Sequence, residues 1–248
     1  MKVSIITVTF NSEKYLEETL ESIFSQSYPD IESIVIDGKS TDGTHSILQK
    51  YQNKITYISE PDTGIYDAMN KGIALATGDI IGILNSDDVL FDKEIINKVV
   101  NSFSLDVDCV YGNVILVNES NKIVRNYSSA NFKLKDFEFG HMPPHPSFYV
   151  RKEAFQKFGH YNTSFKISAD YDLLLRFLYI HKLKSKYLDF IVVKMRDGGI
   201  SSSLKNKWLL NNEILVACRL QNINTNFFKV YSKYIFKWRA FFFPNFYK

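Results

Sequence analysis

The chain has 248 residues, 45% hydrophobic, 23% charged and 15% aromatic, enough apolar content for a sizeable core and too little bias for a disordered or collagen-like chain. Thirty Lys and Arg against 27 Asp and Glu give a formal charge of +3, too balanced for nucleic-acid binding as the main function. The two cysteines, Cys109 and Cys218, form no CxxC pair, which argues against a disulfide framework or structural zinc and fits a reducing, cytoplasmic setting. The first apolar run is too short for a signal-peptide core, and no stretch reaches the roughly 18 to 20 apolar residues that a membrane-spanning helix needs.

Val3 to Phe10 reads as a strand buried on both faces, with Asn11-Ser12 offering a helix cap. Leu16, Leu20, Ile23 and Phe24 then recur at helical spacing while Glu17, Glu18 and Glu21 fall elsewhere on the wheel. Ile31 to Ile36 predicts a second strand, closed by the polar loop Asp37 to Gly43, in which Thr41 or Asp42 can cap a helix running through Tyr51. Ile55 to Ser59, Ile65 to Ala76 and Ile80 to Leu84 continue as strand, helix and strand. This alternation predicts a doubly wound, mainly parallel α/β sheet flanked by helices, with ligands bound beyond the carboxyl ends of its strands. Past residue 104 the pattern loosens. Val107 to Val117 and Ile123 to Tyr127 read as a hairpin, Asn131 to Pro146 as an irregular connection, and Arg151 to Phe158 and Asp170 to His181 as helices.

The strand IIGIL ending in Asn85-Ser86-Asp87-Asp88 concentrates two carboxylates, which must be hydrated, paired or neutralised by a cation; oxygen ligands in an open loop suit Mn²⁺ or Mg²⁺. Ordinary turn formation explains the same residues as well. Asp37, directly after the second strand, stands where a nucleotide base or ribose would lie. Asn70 and Lys71 lie one to two turns into the third helix, and Lys71 either reaches a phosphate or is simply solvated. Asp170, at a helix start, is either an N-cap or a general base held in a fixed position. Asp172 and Arg176 form an i,i+4 ion pair. His145, between two prolines, is a structural histidine or a contact to acceptor or phosphate, and Gly198-Gly199 turns the chain or cradles a phosphate.

The segments SIITVTFN, IDGKSTDGT, EPDTGIYDAMNKGIALATGD, LNSDD, HPSFYVRKEAF, GHYNTSFKISADYDLLLR and GGIS, taken in this order, resemble the family 2 glycosyltransferases of the inverting GT-A type used in bacterial surface-polysaccharide assembly. The resemblance implies a GT-A domain over 1–203, with a nucleotide-sugar-binding half at 1–103 and a less regular acceptor-side half at 104–203, followed by a helical, basic-aromatic tail at 204–248. It implies Asp87 and Asp88 on Mn²⁺ or Mg²⁺, Thr9, Asp37, Asn70, Lys71 and Asp87 on the donor side, and Asp170 as catalytic base. His145, Gly198 and Gly199 are expected near acceptor or phosphate. The partners it implies are a nucleotide-sugar donor, UDP-linked by expectation, and a glycan or lipid-linked acceptor at the inner face of the membrane. The chain departs from the family pattern at Gly38, Met69, Asn85 and Ala169, where many members carry an acid, an arginine, an acid and a glutamate.

Lys229, Lys233 and Lys237 recur every four residues among Phe228, Tyr231, Ile235, Phe236 and Trp238, a mix that suits a peripheral membrane helix or a homodimer surface. A nucleotidyltransferase is disfavoured by the lack of a Gly-rich phosphate loop after the first strand, and a dehydrogenase by the lack of GxGxxG. A non-catalytic nucleotide-sugar or glycan-binding protein is the competing reading from another class. The catalytic reading expects Asp37, Asp87, Asp88 and Asp170 to line one cleft.

Overall fold

A computed structural model describes residues 1–198 and 204–232. The first half follows the expected alternation: β1 (Val3–Thr9), α1 (Leu16–Phe24), β2 (Ile31–Asp37), α2 (Thr44–Lys50), β3 (Thr56–Ser59), α3 (Ile65–Leu75) and β4 (Ile80–Ile83). A two-residue β5 (Val89–Leu90) and α4 (Ile95–Val100) follow, neither of them evident from periodicity. The second half holds β6 (Cys109–Val117), β7 (Ile123–Tyr127), β8 (Tyr149–Arg151), α5 (Lys152–Phe158), α6 (Ala169–Leu174), β9 (Ser185–Arg196) and α7 (Leu204–Leu220).

Among the described residues the strands form one nine-stranded sheet ordered β3-β2-β1-β4-β8-β6-β9-β5, with β7 paired to β6. The pairs β3/β2, β2/β1, β1/β4 and β6/β9 are parallel, while β8 runs antiparallel to both β4 and β6. Every residue of β1 is buried, and the strand serves both faces with period two. Ile6 and Val8 join the apolar cluster of Met69 and Ile73 from α3, while Val3 and Ile5 join that of Ile95, Ile96 and Val99 from α4. Each such fully buried side chain contributes about 1.5–3 kcal/mol. Where β8 crosses β4, Gly82 faces Tyr149, and a Cβ at position 82 would overlap the Tyr149 ring. Only glycine leaves room for that ring.

Three expectations change. Asn11 and Ser12 do not cap α1, which begins at Leu16; Asn11 Oδ1 instead accepts Thr41 N–H at 2.9 Å and Ser12 Oγ meets Ser86 Oγ at 2.8 Å, tying three loops together. The helix expected over Asp170 to His181 is α6 followed by a π-helical stretch, Leu175–Ile180. The long strand β9 falls where no strand was expected, next to the edge of the sheet between β6 and the terminal β5. The i,i+4 pair forms, with Arg176 Nε donating to Asp172 Oδ2 at 2.9 Å. On α7, Ile214, Ala217 and Cys218 share the apolar cluster of Phe137 and Tyr171.

Candidate active site

The parallel register sets Thr9 opposite Asp37 and Asp37 opposite Ser59, so the loops after β1, β2 and β3 leave one carboxyl edge. Asp37 is 0% exposed. Its carboxylate accepts Ser40 N–H at 3.2 Å, Ser40 Oγ–H at 2.5 Å and Ser59 Oγ–H at 2.5 Å. These donors replace the water the charge lost, and they fix the shape of the loop beyond. The N-cap of α2 is Gly43, without a side-chain cap, rather than Thr41 or Asp42; Asp42 precedes it and accepts Thr44 N–H at 3.0 Å and Glu13 N–H at 3.1 Å.

Phe10, the first residue beyond β1, is 62% exposed. A Cβ at Gly38 would lie 2.6 Å from Asp62 Oδ2 and 3.4 Å from the Phe10 ring, so an aromatic face, a bare peptide and a carboxylate are contiguous. That combination offers a platform for a flat, hydrogen-bonding ring. Thr9 Oγ1 is buried beneath it with no hydrogen-bond partner among the described residues.

Asn70 and Lys71 spend their polar groups on the protein. The Asn70 amide clamps the Tyr161 backbone in both directions, at 2.9 and 3.0 Å. Lys71 Nζ bonds Pro61 O at 3.0 Å and pairs with Glu60 at 2.9 Å and Asp67 at 3.6 Å, holding the 60–64 loop against α3.

Asp87 and Asp88 follow β4. Asp88 is 2% exposed; burial and then the Asp87 charge push its pKa up, while Asn85, the Arg196 backbone N–H and the Arg196 guanidinium draw it down. Burial likewise raises Asp87, and Arg196 lowers it. Arg196, at the end of β9, is held by Glu18 and lies over the Tyr15 ring at 4.3 Å. Asn85 Nδ2 donates to Asp88 Oδ2 at 3.2 Å, whereas Asn85 Oδ1 is buried without a partner among the described residues. Two crowded carboxylates and an orphaned carbonyl oxygen form an oxygen-only donor set suited to Mn²⁺ or Mg²⁺. No third His, Cys, Asp or Glu completes a ligand group among the described residues, so further ligands would come from water or substrate phosphate.

Asp170 sits in the first turn of α6, after the N-cap Ser168, and is therefore not itself the cap. Its Oδ1 accepts Tyr171 N–H at 2.8 Å and Tyr66 O–H at 3.3 Å, leaving Oδ2 without a hydrogen bond from the described residues. Burial raises its pKa to about 6, against the Tyr171 and Tyr66 hydrogen bonds that lower it. Tyr66 lies in the first turn of α3, which follows β3, so this tether draws Asp170 to the edge that carries Asp37 and the Asp87–Asp88 pair.

His145 is 7% exposed and hydrogen-bonds Tyr161 O–H through Nε2. Burial lowers its pKa to about 4, so it is neutral at physiological pH. Tyr161 stacks on Tyr66 at 5.6 Å, which makes His145 a support behind the Asp170 tether. Gly198 turns the chain just past Arg196 with φ +113; Gly199 lies outside the described residues. In the tail, Lys229 pairs with Glu138 at 2.8 Å and Phe227 stacks on Tyr231, while Lys233, Ile235, Phe236, Lys237 and Trp238 lie outside the described residues. Sequence reasoning missed Phe10, Tyr66 and Arg196. An aromatic residue directly after a buried strand was a readable signal for the first, and nothing local marks the others.

The family model for glycosyl transferase family 2 matches residues 4–167. A PGL/p-HBAD biosynthesis glycosyltransferase of Mycobacterium tuberculosis is 30% identical over 214 residues, covering 84% of this chain and 82% of its own. An uncharacterized glycosyltransferase of Methanocaldococcus jannaschii is 28% identical over 219 residues, covering 83% and 75%. Among solved structures, S. aureus TarS in complex with UDP-GlcNAc matches with a TM-score of 0.69 at 21% identity, over 98% of this chain and 73% of TarS. The mannosyltransferase PcManGT of Pyrobaculum calidifontis, in complex with GDP-Man and Mn²⁺, matches with a TM-score of 0.63 at 17% identity, over 98% and 81%. At such identities the structural likeness shows a common fold.

Proposed function

The chain belongs to glycosyl transferase family 2, and on that premise we propose that it is an inverting, divalent-metal-dependent enzyme. It moves a sugar from a nucleoside diphosphate donor to a hydroxyl of a glycan or lipid-linked acceptor in surface-polysaccharide assembly. The observation that carries this reading is the Asp170 carboxylate, with Oδ1 fastened and Oδ2 open, tied through Tyr66 to the sheet edge that bears Asp87 and Asp88.

The nucleotide base stacks on Phe10 beside Gly38 and Asp62, over a loop whose shape Asp37 sets. The TarS complex with UDP-GlcNAc favours a uridine donor. Asp170 Oδ2 takes the proton from the acceptor hydroxyl as that oxygen bonds to the anomeric carbon, while the anomeric carbon–phosphate oxygen bond breaks on the opposite face. Configuration inverts in this single displacement, and the nucleoside diphosphate leaves with the bonding pair. Asp87, Asp88 and Asn85 Oδ1 would hold the cation, which when bound supplies positive charge against the diphosphate. Lys71 and Asn70 act by fixing the 60–64 loop and Tyr161. The described residues contain no helix long and apolar enough to cross a membrane; we assign the basic-aromatic tail to peripheral contact with the inner face, and removal of residues 225–248 would leave membrane recovery unchanged if that assignment is wrong.

The central test is a panel of UDP- and GDP-sugars with Mn²⁺, read as binding and as transfer, on the wild type and Asp170→Asn. The variant is expected to bind donor normally and to transfer roughly 10³-fold more slowly; undiminished transfer would remove Asp170 as the base.

A further inference from the structure

The segment leading into Asp170 is gripped from outside the family-matched residues. Glu213 lies on α7 and is 8% exposed. Its carboxylate accepts three consecutive backbone N–H groups: Lys166 on Oε1 at 2.8 Å, and Ile167 and Ser168 on Oε2 at 2.9 Å each. One turn earlier on α7, Leu210 O accepts the Ser168 hydroxyl at 3.2 Å. On the opposite side of the segment, the single Tyr66 hydroxyl proton is shared between Ile167 O at 2.6 Å and Asp170 Oδ1 at 3.3 Å, the shorter contact being to Ile167. Residues 166–168 are thus held by α7 through their N–H groups and by α3 through a carbonyl, and Asp170 stands two residues further on. A buried carboxylate is costly unless it is well bonded, and here all its described bonds converge on this one segment.

Resting on the assignment of Asp170 as base, we infer that Glu213 is a positioning residue for the transfer step, fixing the Asp170 carboxylate in place and making catalysis depend on the docking of α7. The groups facing Asp170 are Tyr66 from α3, Tyr161 from the preceding loop and Glu213 from α7; on its own helix Asp172 is neutralised by Arg176. Glu213 and Tyr66 act on Asp170 with opposite signs, since the Glu213 charge raises its pKa and the Tyr66 hydrogen bond lowers it.

The test uses the full chain carrying Glu213→Gln, Tyr66→Phe or Asp170→Asn, with carboxyl-labelled aspartate followed by NMR titration and turnover measured on the UDP- and GDP-sugar panel with Mn²⁺. Glu213→Gln should move the Asp170 titration to lower pH and Tyr66→Phe to higher pH. Glu213→Gln should also reduce kcat roughly ten- to hundredfold while donor KM moves less than about threefold. A folded Glu213→Gln with unchanged titration and wild-type kcat, beside an inactive Asp170→Asn, overturns the positioning role alone. Full turnover by Asp170→Asn overturns the base assignment first. If Glu213→Gln does not fold, hydrogen exchange on the wild type decides: protected amides at 166–168 support the clamp, and exchange as fast as an open loop overturns it.

Discussion

The Asp87–Asp88 pair and Asp170 are both carboxylate sites whose acids are driven upward by burial, yet what offsets that burial differs between them. At the pair, a second negative charge adds to burial and the compensation comes from Arg196 and Asn85, so the site remains short of positive charge. At Asp170 the compensation comes from two hydrogen bonds on one oxygen, and the other oxygen can take a proton. On the proposed function, the first environment suits a cation and the second a proton.

The sharpest way to break this comparison is Asp170→Asn, which should lower transfer by roughly 10³-fold, within the usual range for a general base, while donor affinity stays at the wild-type level. Because burial lifts Asp170 to about 6, and the base works only when ionised, wild-type kcat should climb as pH rises through about 6 and level off above it. Profiles that are flat between pH 5 and 7 would contradict the assignment.

Next in size is the cation. Chelation, or Asp88→Asn, should remove several kcal/mol of leaving-group stabilisation, about 10²-fold in rate or more. Added Mn²⁺ should raise the melting temperature of the wild type and leave that of the Asp87→Asn, Asp88→Asn double variant unchanged; equal shifts in the two would place the ion elsewhere.

The same raised pKa has a cost in stability. The folded state holds the Asp170 proton more tightly than the unfolded chain, so stability falls as pH rises from the ordinary 3.8 towards about 6. Above that window the penalty persists, and Asp170→Asn should recover at most about 3 kcal/mol in a urea titration at pH 7.5. A less stable variant would show that the charged form is needed for folding. The smallest expected effect lies at the rim: Phe10→Ala should weaken donor binding by about 1–3 kcal/mol, the usual worth of stacking a base on an aromatic ring, with kcat nearly unchanged.

The parallel half was legible because Val3 to Leu84 repeats strand and helix with short polar loops, and that repetition alone sets Thr9, Asp37 and Asp87 on one edge. The second half was harder. β9 reads SKYLDFIVVKMR, a charge-sprinkled run without clean alternation, because Ser185 and Lys186 are exposed even though they pair with β6, and only Leu188, Val192 and Val193 are buried. The segment Asp170 to His181 shows helical periodicity, which does not distinguish an α-helix from the π-helical stretch that follows Leu174. Asp37, Asn70 and Lys71 were recognisable as polar residues at the right loops, but whether such a residue faces ligand or protein depends on partners such as Ser59, Tyr161 and Glu60 that are distant in the chain. Glu213 was invisible for the same reason: its meaning lies wholly in three amides more than forty residues away.

Gly82 and Tyr149 join the two halves at the antiparallel seam, where β8 is hydrogen-bonded to β4 on one side and β6 on the other. The two halves therefore share one continuous hydrogen-bonded sheet, and in the proposed function that sheet underlies both donor and acceptor. If the acceptor-side half sets what is glycosylated, grafting its irregular segment 131–146 from a relative should transplant acceptor choice while leaving nucleotide preference untouched.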